Sequence, residues 1–314
     1  WRTTRHLNVD QWRYRLHRRG RHILARLATT NWTKRLERKI LITPMADPAQ
    51  PVLDVIADQV LVQQMGACGS SLAEMAAGRF TFFGHTVDFG DLERIDWRYA
   101  EGGGDDLLWR LNLGYMGYAV PWLASGGSTD LARVLSLVKS LEKQNPWDTQ
   151  GVFRDIWNPY TASHRLINLL VGLNLHGRAG GDLGQPDLGL ILDHCRCCAA
   201  YIADNPERDI QYNHLMKNYV ALAVYCAGLD ILPADWADLP QVAMKSVQQN
   251  FLADGGHAER SPMYHLLGLR DLHLLRASAI IGGTDAATLD DYARRAAIAL
   301  SLLSHPDGDI ALFN

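Results

Sequence analysis

The sequence has no long apolar run. No stretch approaches the roughly 20 consecutive apolar residues that a membrane-spanning helix requires, and no charged and then apolar leader opens the chain. A membrane span is therefore not expected. Because the chain begins at Trp1, the missing leader does not fix the compartment, and both the periplasm and the cytoplasm of a bacterium stay open.

An excess of one charge is also absent. The 314 residues carry a formal net charge of -3, so no nucleic-acid partner is predicted. Residues 1–50 are locally basic, in the segments RYRLHRRGRHILARL and TKRLERK. This pattern is typical of a solvated helix face, and binding to an anionic partner or a membrane surface is the alternative.

Cysteine is scarce, and its spacing is not that of a metal site. Three of the five cysteines, Cys195, Cys197 and Cys198, crowd one helical segment beside His194. Neighbouring side chains on a helix point in different directions, and the spacing is not the paired C-x-x-C pattern of zinc ligands. We therefore expect free, mostly buried thiols and neither a metal nor a cofactor.

What the sequence does contain is helical periodicity. Hydrophobic residues make up 47% of the chain, which is enough for a substantial core. Beyond residue 50 they recur three and four positions apart, with little of the alternation that strands require. The predicted helices lie near 53–65, 105–124, 128–143, 161–177, 187–203, 212–228, 234–250, 262–281 and 287–303. Short turn-rich separators join them, which predicts antiparallel hairpins in a bundle or a ring.

Three regions follow from these patterns. Residues 1–50 are predicted to form a basic segment that packs on the helical body. Residues 51–304 form that body. Residues 305–314 contain a turn, PDGD, and then an apolar run suited to a strand. Since a strand without partners is unstable, these last residues are expected to begin a linker or the first strand of a further β-domain.

Several polar blocks interrupt the helical pattern. Some of their residues have a structural explanation, because Asn158 and Ser261 are good helix caps and Pro262 suits a first helical turn. Two pairs are less easily explained, Asn213-His214 and Tyr264-His265, since both are predicted in the opening turns of helices. Their polar ends are expected to converge on one cleft.

Taken in order, these blocks resemble the helical N-terminal domain of the heparinase II/III-like polysaccharide lyases. The resemblance covers nearly the whole chain. It is carried by RTTRHLNVDQWRYRLHRR, FFGHTVDFGDLERIDWR, LLWRLNLGYMGY, WNPYTASHRLINLL, YNHLMKNYVAL, DGGHAERSPMYH and HPDGDIALFN. It implies an incomplete (α/α) toroid of antiparallel helical hairpins. A C-terminal β-sandwich domain, absent from this chain, is its implied partner.

The resemblance implies β-elimination at a uronic acid of an acidic polysaccharide. The proton on C5 of a uronate is barely acidic, because its removal adds charge beside an ionised carboxylate, so a hydrogen-bond donor must first neutralise that carboxylate. A base then takes the proton, and an acid protonates the leaving oxygen. By resemblance, Asn213 is the neutraliser and Tyr264 is both base and acid. His214 and His265 are expected to orient or assist.

A polyanionic sugar needs cations and stacking faces. The predicted substrate-binding residues are Arg110, Asn112, Tyr115, Tyr160, Arg165, Glu259 and Arg260. For Glu259, a structural salt bridge with Arg260 is an equal alternative, because a carboxylate near an anionic substrate is otherwise unfavourable. The sequence does not name the glycan, and both a heparan-sulfate-like polymer and a bacterial exopolysaccharide fit.

Two other functions stay open at the level of sequence. A helical-ring glycoside hydrolase would need two carboxylic acids across the bond, for which Asp91 or Asp96 with Glu259 are candidates. A glycan-binding or assembly module would use the same cleft without chemistry. The resemblance also implies a catalytic histidine from the β-sandwich domain, so the helical part alone is expected to fold but to be nearly inactive.

Overall fold

The computed structural model describes residues 9–100 and 106–311, and it is built almost wholly from helices. The bounds are α1 (Val9–Leu27), α2 (Thr29–Ile42), α3 (Val52–Cys68), α4 (Leu72–Ala76), α5 (Leu107–Tyr115), α6 (Ala119–Leu123), α7 (Ser128–Gln144), α8 (Pro159–Arg178), α9 (Leu188–Asp204), α10 (Tyr212–Leu229), α11 (Leu239–Asn250), α12 (Pro262–Ala277) and α13 (Gly283–Leu302). One antiparallel hairpin joins β1 (Arg79–Phe82) to β2 (His85–Asp88). The predicted helical fold class is confirmed.

Consecutive helices pair as hairpins. The pairs are α6 with α7, α8 with α9, α10 with α11, and α12 with α13. The first members form an inner row in which α6 packs on α8, α8 on α10 and α10 on α12, and α3 packs against all four. In the outer row, α7 packs on α9 and α11 on α13. This two-row arrangement is an incomplete (α/α) toroid.

The inner helices α8 and α10 are buried along most of their length. A helix that is apolar on all sides belongs in a protein interior, and both carry long runs of Leu, Val and Ala. Side chains from α3, α5, α6, α9 and α12 surround them. The two helices therefore fix where the inner-row residues at their N-terminal ends are placed.

Several local predictions differ from the structure. The helix predicted over 105–124 is interrupted after α5, because Met116 adopts a left-handed conformation (φ 53°) that ends the helix. The prediction over 234–250 begins instead as a short 3-10 turn at Ala234–Trp236, followed by α11. The β-hairpin was not predicted. Its turn is formed by Phe83 and Gly84, both at positive φ.

The two ends of the chain are partly described. Helix α2 packs on α9, and the backbone of the following segment bonds to the toroid, where Asp47 N donates to Gly228 O at 2.7 Å. Near the C-terminus the predicted turn is present, with His305 N donating to Asp309 O. The end of the apolar run, 312–314, lies outside the described residues, and the β-domain stays a prediction. No described helix is both long enough and apolar enough to cross a bilayer.

Arg165 lies inside the toroid and not at a substrate-binding surface. Its side chain is completely buried in the second turn of α8. Each guanidinium nitrogen donates a hydrogen bond, from Nε to His194 Nε2 (2.9 Å), from Nη1 to Gly114 O (3.0 Å) and from Nη2 to Ile156 O (3.1 Å). The sequence-based expectation that Arg165 binds substrate is therefore corrected, because this guanidinium joins α5, α8 and α9.

Replacing Arg165 with Leu is expected to lower the free energy of unfolding by roughly 3–5 kcal/mol, because one imidazole and two backbone carbonyls lose a buried donor, at about 1–3 kcal/mol each. Chemical denaturation measures this. The matched control is Arg294→Leu, whose guanidinium is largely exposed and pairs only with Asp291, and whose effect is expected to stay below about 1 kcal/mol. Equal stability of the two variants would contradict the structural role.

Candidate active site

Four side chains from α5, α8 and α10 form a tyrosine–histidine cluster, consisting of Tyr115, Tyr160, His164 and His214. Tyr115 ends α5, Tyr160 and His164 open α8, and His214 opens α10. The ring centroids are 4.4 Å apart for Tyr115 and His164, 4.8 Å for Tyr160 and His164, and 4.3 Å for Tyr160 and His214. The structure thus brings the predicted Tyr115, Tyr160 and His214 together and adds His164, which the sequence analysis did not select.

His164 retains a buried polar atom without a partner in the described part of the chain, its Nε2. Burial, with Lys217 and His214 nearby, holds the pKa of His164 well below its usual range. The ring is therefore neutral at physiological pH and able to bond a water or a ligand. A cluster with this spare hydrogen-bonding capacity is unusual in a core, where polar atoms are normally paired.

Tyr264 lies in the first turn of α12, as predicted, and is half-buried. Its position beside the cluster is visible in the electrostatics of its neighbours. Burial raises the pKa of Tyr115, and the nearby Glu207 and Tyr264 raise it further. Burial likewise raises the pKa of Tyr160, with Tyr264 among the contributing groups. Helix α12 thus adds a third tyrosine to this region.

Asn213 precedes His214 in the first turn of α10 and is 7% exposed. Its amide makes no side-chain hydrogen bond to another described residue, and its polar atoms are not sealed from solvent. The amide can therefore donate to a ligand. The predicted opening-turn location of Asn213 is confirmed, while its role stays a prediction.

A buried carboxylate, that of Glu207, contacts the ring of His214. His214 Nδ1 lies 3.4 Å from Glu207 Oε2, and Arg18 Nη1 lies 3.6 Å from Glu207 Oε1. The backbone N–H of Glu207 also donates to Asn218 Oδ1 at 2.8 Å. Sequence reasoning missed Glu207, because an acidic residue in a short NPERD loop ordinarily reads as solvated. Its position seven residues before His214 was the only available signal.

His265 does not join the cluster. It is buried, its Nε2 donates to Ala296 O at 2.8 Å, and its Nδ1 accepts from His257 N at 3.3 Å. His257 in turn bonds Asn250 Oδ1 through Nε2 (3.1 Å) and accepts from Glu259 N through Nδ1 (3.2 Å). The two imidazoles thus fasten the loop that leads into α12, and the orienting or assisting role of His265 stays a prediction.

Two of the remaining predicted binding residues, Arg110 and Asn112, lie on α5. Arg110 is buried, with Nη1 donating to Tyr99 O at 2.9 Å and Nε 3.5 Å from Asp155 Oδ2, so the structure does not bring it to the cluster. Asn112 stays partly exposed, and its amide donates to Leu108 O at 2.9 Å.

The loop pair Glu259 and Arg260 has a different environment. Glu259 is half-buried, and burial raises its carboxyl pKa while the nearby His214 opposes that rise. Arg260 is exposed and adopts a left-handed conformation at φ 52°. No ion pair joins these two described side chains. The salt bridge considered as the alternative is therefore not formed, and His214 is near enough to Glu259 to act on the charge of its carboxyl group.

The carboxylates considered for a hydrolase have local structural roles. Asp91 caps a short 3-10 turn by accepting from Glu93 N and Arg94 N. Asp96 accepts from Arg98 N at 2.9 Å.

Cys195 and Cys198 are buried free thiols. Within residues 9–100 and 106–311, no group of three or more His, Cys, Asp or Glu side chains is arranged to hold a metal ion.

This helical fold is the one found in heparinases. The heparan sulfate lyase HepC from Pedobacter heparinus matches with a TM-score of 0.50 and 17% identity over 84% of this chain and 41% of that one. A HepC mutant matches at 0.52, with 15% identity over 78% of this chain and 39% of that one. A heparinase III structure matches with a TM-score of 0.50 and 17% identity, over 78% of this chain and 40% of that one.

The likeness confirms the expected fold, and the chain spans about two fifths of the length of these solved structures. No protein-family model matches the sequence. The curated proteins likewise contain no match.

The environment of His257 predicts a pH dependence of stability. Burial, with His265 nearby, lowers its pKa from 6.5 to about 4. Between pH 6.5 and 4 the unfolded chain therefore binds a proton at His257 that the native state does not bind. The neutral His257 thus contributes to stability above pH 6.5, and this contribution is lost as the pH falls toward 4. Chemical denaturation at pH 7 and at pH 4 gives the free energy of unfolding at each pH. In His257→Gln, the difference between these two values is expected to be smaller than in the unaltered protein by on the order of 3 kcal/mol. The exposed His273→Gln should retain it, and an unchanged slope in both variants would contradict the assignment.

Proposed function

We propose that this protein is a polysaccharide lyase that cleaves a uronic-acid-containing acidic glycan by β-elimination. The supporting observation is the tyrosine–histidine cluster, with Tyr264 near enough to act on the charges of Tyr115 and Tyr160, in a fold shared with heparan sulfate lyases. Phenols and imidazoles are among the side chains that act as general acids and bases in proton transfer. This reaction does not need the pair of carboxylic acids that a glycoside hydrolase uses.

Asn213 neutralises the uronate carboxylate. Its amide, which has no competing protein acceptor among the described residues, donates to a carboxylate oxygen as charge shifts from C5 toward that group. A preorganised donor of this kind is worth about 3–4 kcal/mol in comparable oxyanion sites. Its place in the first turn of α10 adds the positive end of a helix dipole, which also favours an anion.

Tyr264 moves the proton. As a phenolate it accepts the proton from C5, the C5–H electron pair forms the C4–C5 double bond, and the bond from C4 to the glycosidic oxygen breaks. The phenol then gives its proton to that leaving oxygen. The products are a new chain end on one side and an unsaturated uronate on the other, with Tyr264 restored.

His214 and Glu207 orient the sugar-facing side of the site. With Glu207 Oε2 as the acceptor, His214 donates through Nδ1 and leaves Nε2 as an acceptor for the substrate. The rings of Tyr115 and Tyr160 can stack against a pyranose ring, and the carboxylate of Glu259 accepts hydrogen bonds from sugar hydroxyls. The exposed Arg260 and Asn112 supply further polar contacts. The implied β-sandwich domain would contribute its histidine from the opposite side.

The charges near the site favour a glycan with little sulfate. Arg110 and Arg165 are buried in protein contacts, and the buried Lys217 is paired with Asp271. These cations are therefore committed to protein acceptors. Since sulfate groups need several accessible cations, we propose an unsulfated uronate polymer, such as a bacterial exopolysaccharide, as the substrate.

The test is Tyr264→Phe in the protein carrying the implied β-sandwich domain, screened against uronic-acid polymers. Formation of unsaturated uronate, read by near-ultraviolet absorbance, is expected to fall about 100- to 10,000-fold, while glycan binding persists. The control is Tyr292→Phe on α13, a ring that stacks with Arg295 and should leave the rate unchanged.

Each competing function has its own outcome in that assay. New reducing ends without ultraviolet absorbance would identify a hydrolase. Glycan binding without any product would identify a binding module. Full activity in Tyr264→Phe would remove this hydroxyl from the mechanism.

Glu207→Gln tests the support of His214. The nearly isosteric amide can present a donor to Nδ1 in place of an obligate acceptor, so kcat is expected to fall about tenfold, or about 1.4 kcal/mol, with KM little changed. Asp209→Asn is the matched control, because Asp209 also binds Arg18 (2.9 Å) but does not bond to His214. Equal losses in both variants would show that the carboxylates act only by holding α1.

A further inference from the structure

Helix α1 presents its apolar residues to solvent. The exposed side chains recur at helical spacing, and their exposed fractions run from 40% to 84%. At about 100° per residue, five of them fall within roughly 60° of one another around the helix axis: Val9, Trp12, Leu16, Ile23 and Leu27. The sixth, Leu24, lies about 60° beyond them. We refer to these five residues as the apolar stripe.

The opposite, polar face of α1 packs on the toroid. Arg18 Nη1 bonds Asp209 Oδ1 at 2.9 Å, and Arg21 pairs with Asp204. Gln11 and Ala25 are buried on the same side. The usual surface helix buries its apolar face and exposes its charges. Rotating α1 to that arrangement would break these ion pairs, so the outward direction of the apolar stripe is fixed by the fold.

Positive charge surrounds the apolar stripe. Arg13, His17 and Arg19 flank it and are exposed. The whole protein has 34 acidic and 31 basic residues, yet residues 9–42 contain ten Lys and Arg and only two acidic residues, Asp10 and Glu37. The net negative charge of the chain therefore lies elsewhere, and this end of the molecule is locally basic.

We propose that α1 is a docking surface for an anionic lipid bilayer. An amphipathic helix with Trp and Leu on one face and Arg on its borders lies in the plane of the membrane interface, its apolar face about 5–10 Å deep among the headgroups. The flanking arginines then meet lipid phosphates and carboxylates. A second copy of this chain is a poorer occupant, because apposing two apolar stripes would bring two basic borders together.

The experiment is co-sedimentation of the whole protein with phosphatidylcholine vesicles containing about 30% phosphatidylserine, compared with pure phosphatidylcholine. Binding is expected only to the anionic vesicles and is expected to weaken at about 0.5 M NaCl. Leu16→Gln with Ile23→Gln should reduce binding at least about 30-fold. Arg13→Gln with Arg19→Gln should reduce it about tenfold.

Val62→Gln is the matched control, because Val62 is a 75% exposed aliphatic residue on α3, outside the apolar stripe. It should bind like the unaltered protein. All the substituted residues are exposed, and unchanged circular dichroism verifies their folding. Equal binding to neutral vesicles, undiminished binding of the stripe variant, or no vesicle binding at all would overturn the proposal. A dimer that the stripe variant abolishes, without vesicle binding, would assign the surface to a second copy.

Discussion

The burial of α8 and α10 is the constraint on which the rest of the structure depends. A helix enclosed on all sides must satisfy its polar side chains internally, since an unpaired buried donor or acceptor costs about 1–3 kcal/mol. Arg165 meets this demand with three acceptors, and Asn218 does so by bonding Ser163 Oγ and Glu207 N. At the N-terminal ends of these helices, His164 and Asn213 keep polar atoms without a partner among the described residues. The candidate site occupies those ends, where the need for internal pairing is relaxed.

Helix bounds were largely predictable from local chemistry. Residues 128–143 were predicted and Ser128–Gln144 is observed, because apolar periodicity and flanking turn residues both mark that helix. Asn158 caps α8 by accepting from Tyr160 N, as its residue type indicated. The break at Met116 was not predictable, because a left-handed methionine carries no local signal and is imposed by packing, where it is completely buried.

Side-chain direction was the main limit on predicting the site. The opening-turn position of Tyr264 followed from the Ser261-Pro262 start signal of α12. Helix α10 begins after Gln211 without a side-chain cap, so the position of Asn213 followed from apolar periodicity alone. His164 and Arg165 are neighbours in sequence, yet one joins the cluster and the other lies in the core. Because α8 is enclosed on every side, it has no amphipathic phase to distinguish them. Glu207 was missed for a related reason, since its burial depends on the distant α1.

Helix α1 is held to the protein by its polar face and exposes its apolar face, the reverse of the usual surface helix. It is held by ion pairs between its basic face and a carboxylate-rich loop, where Arg18 reaches both Asp209 and Glu207. Such pairs gain from partial burial, which lowers the screening that weakens exposed ones. Glu207 also contacts His214, so one buried carboxylate serves the anchoring of α1 and the candidate site together. The inward face of this helix is consequently tied to the chemistry of the toroid, which leaves its apolar face free to engage a separate surface.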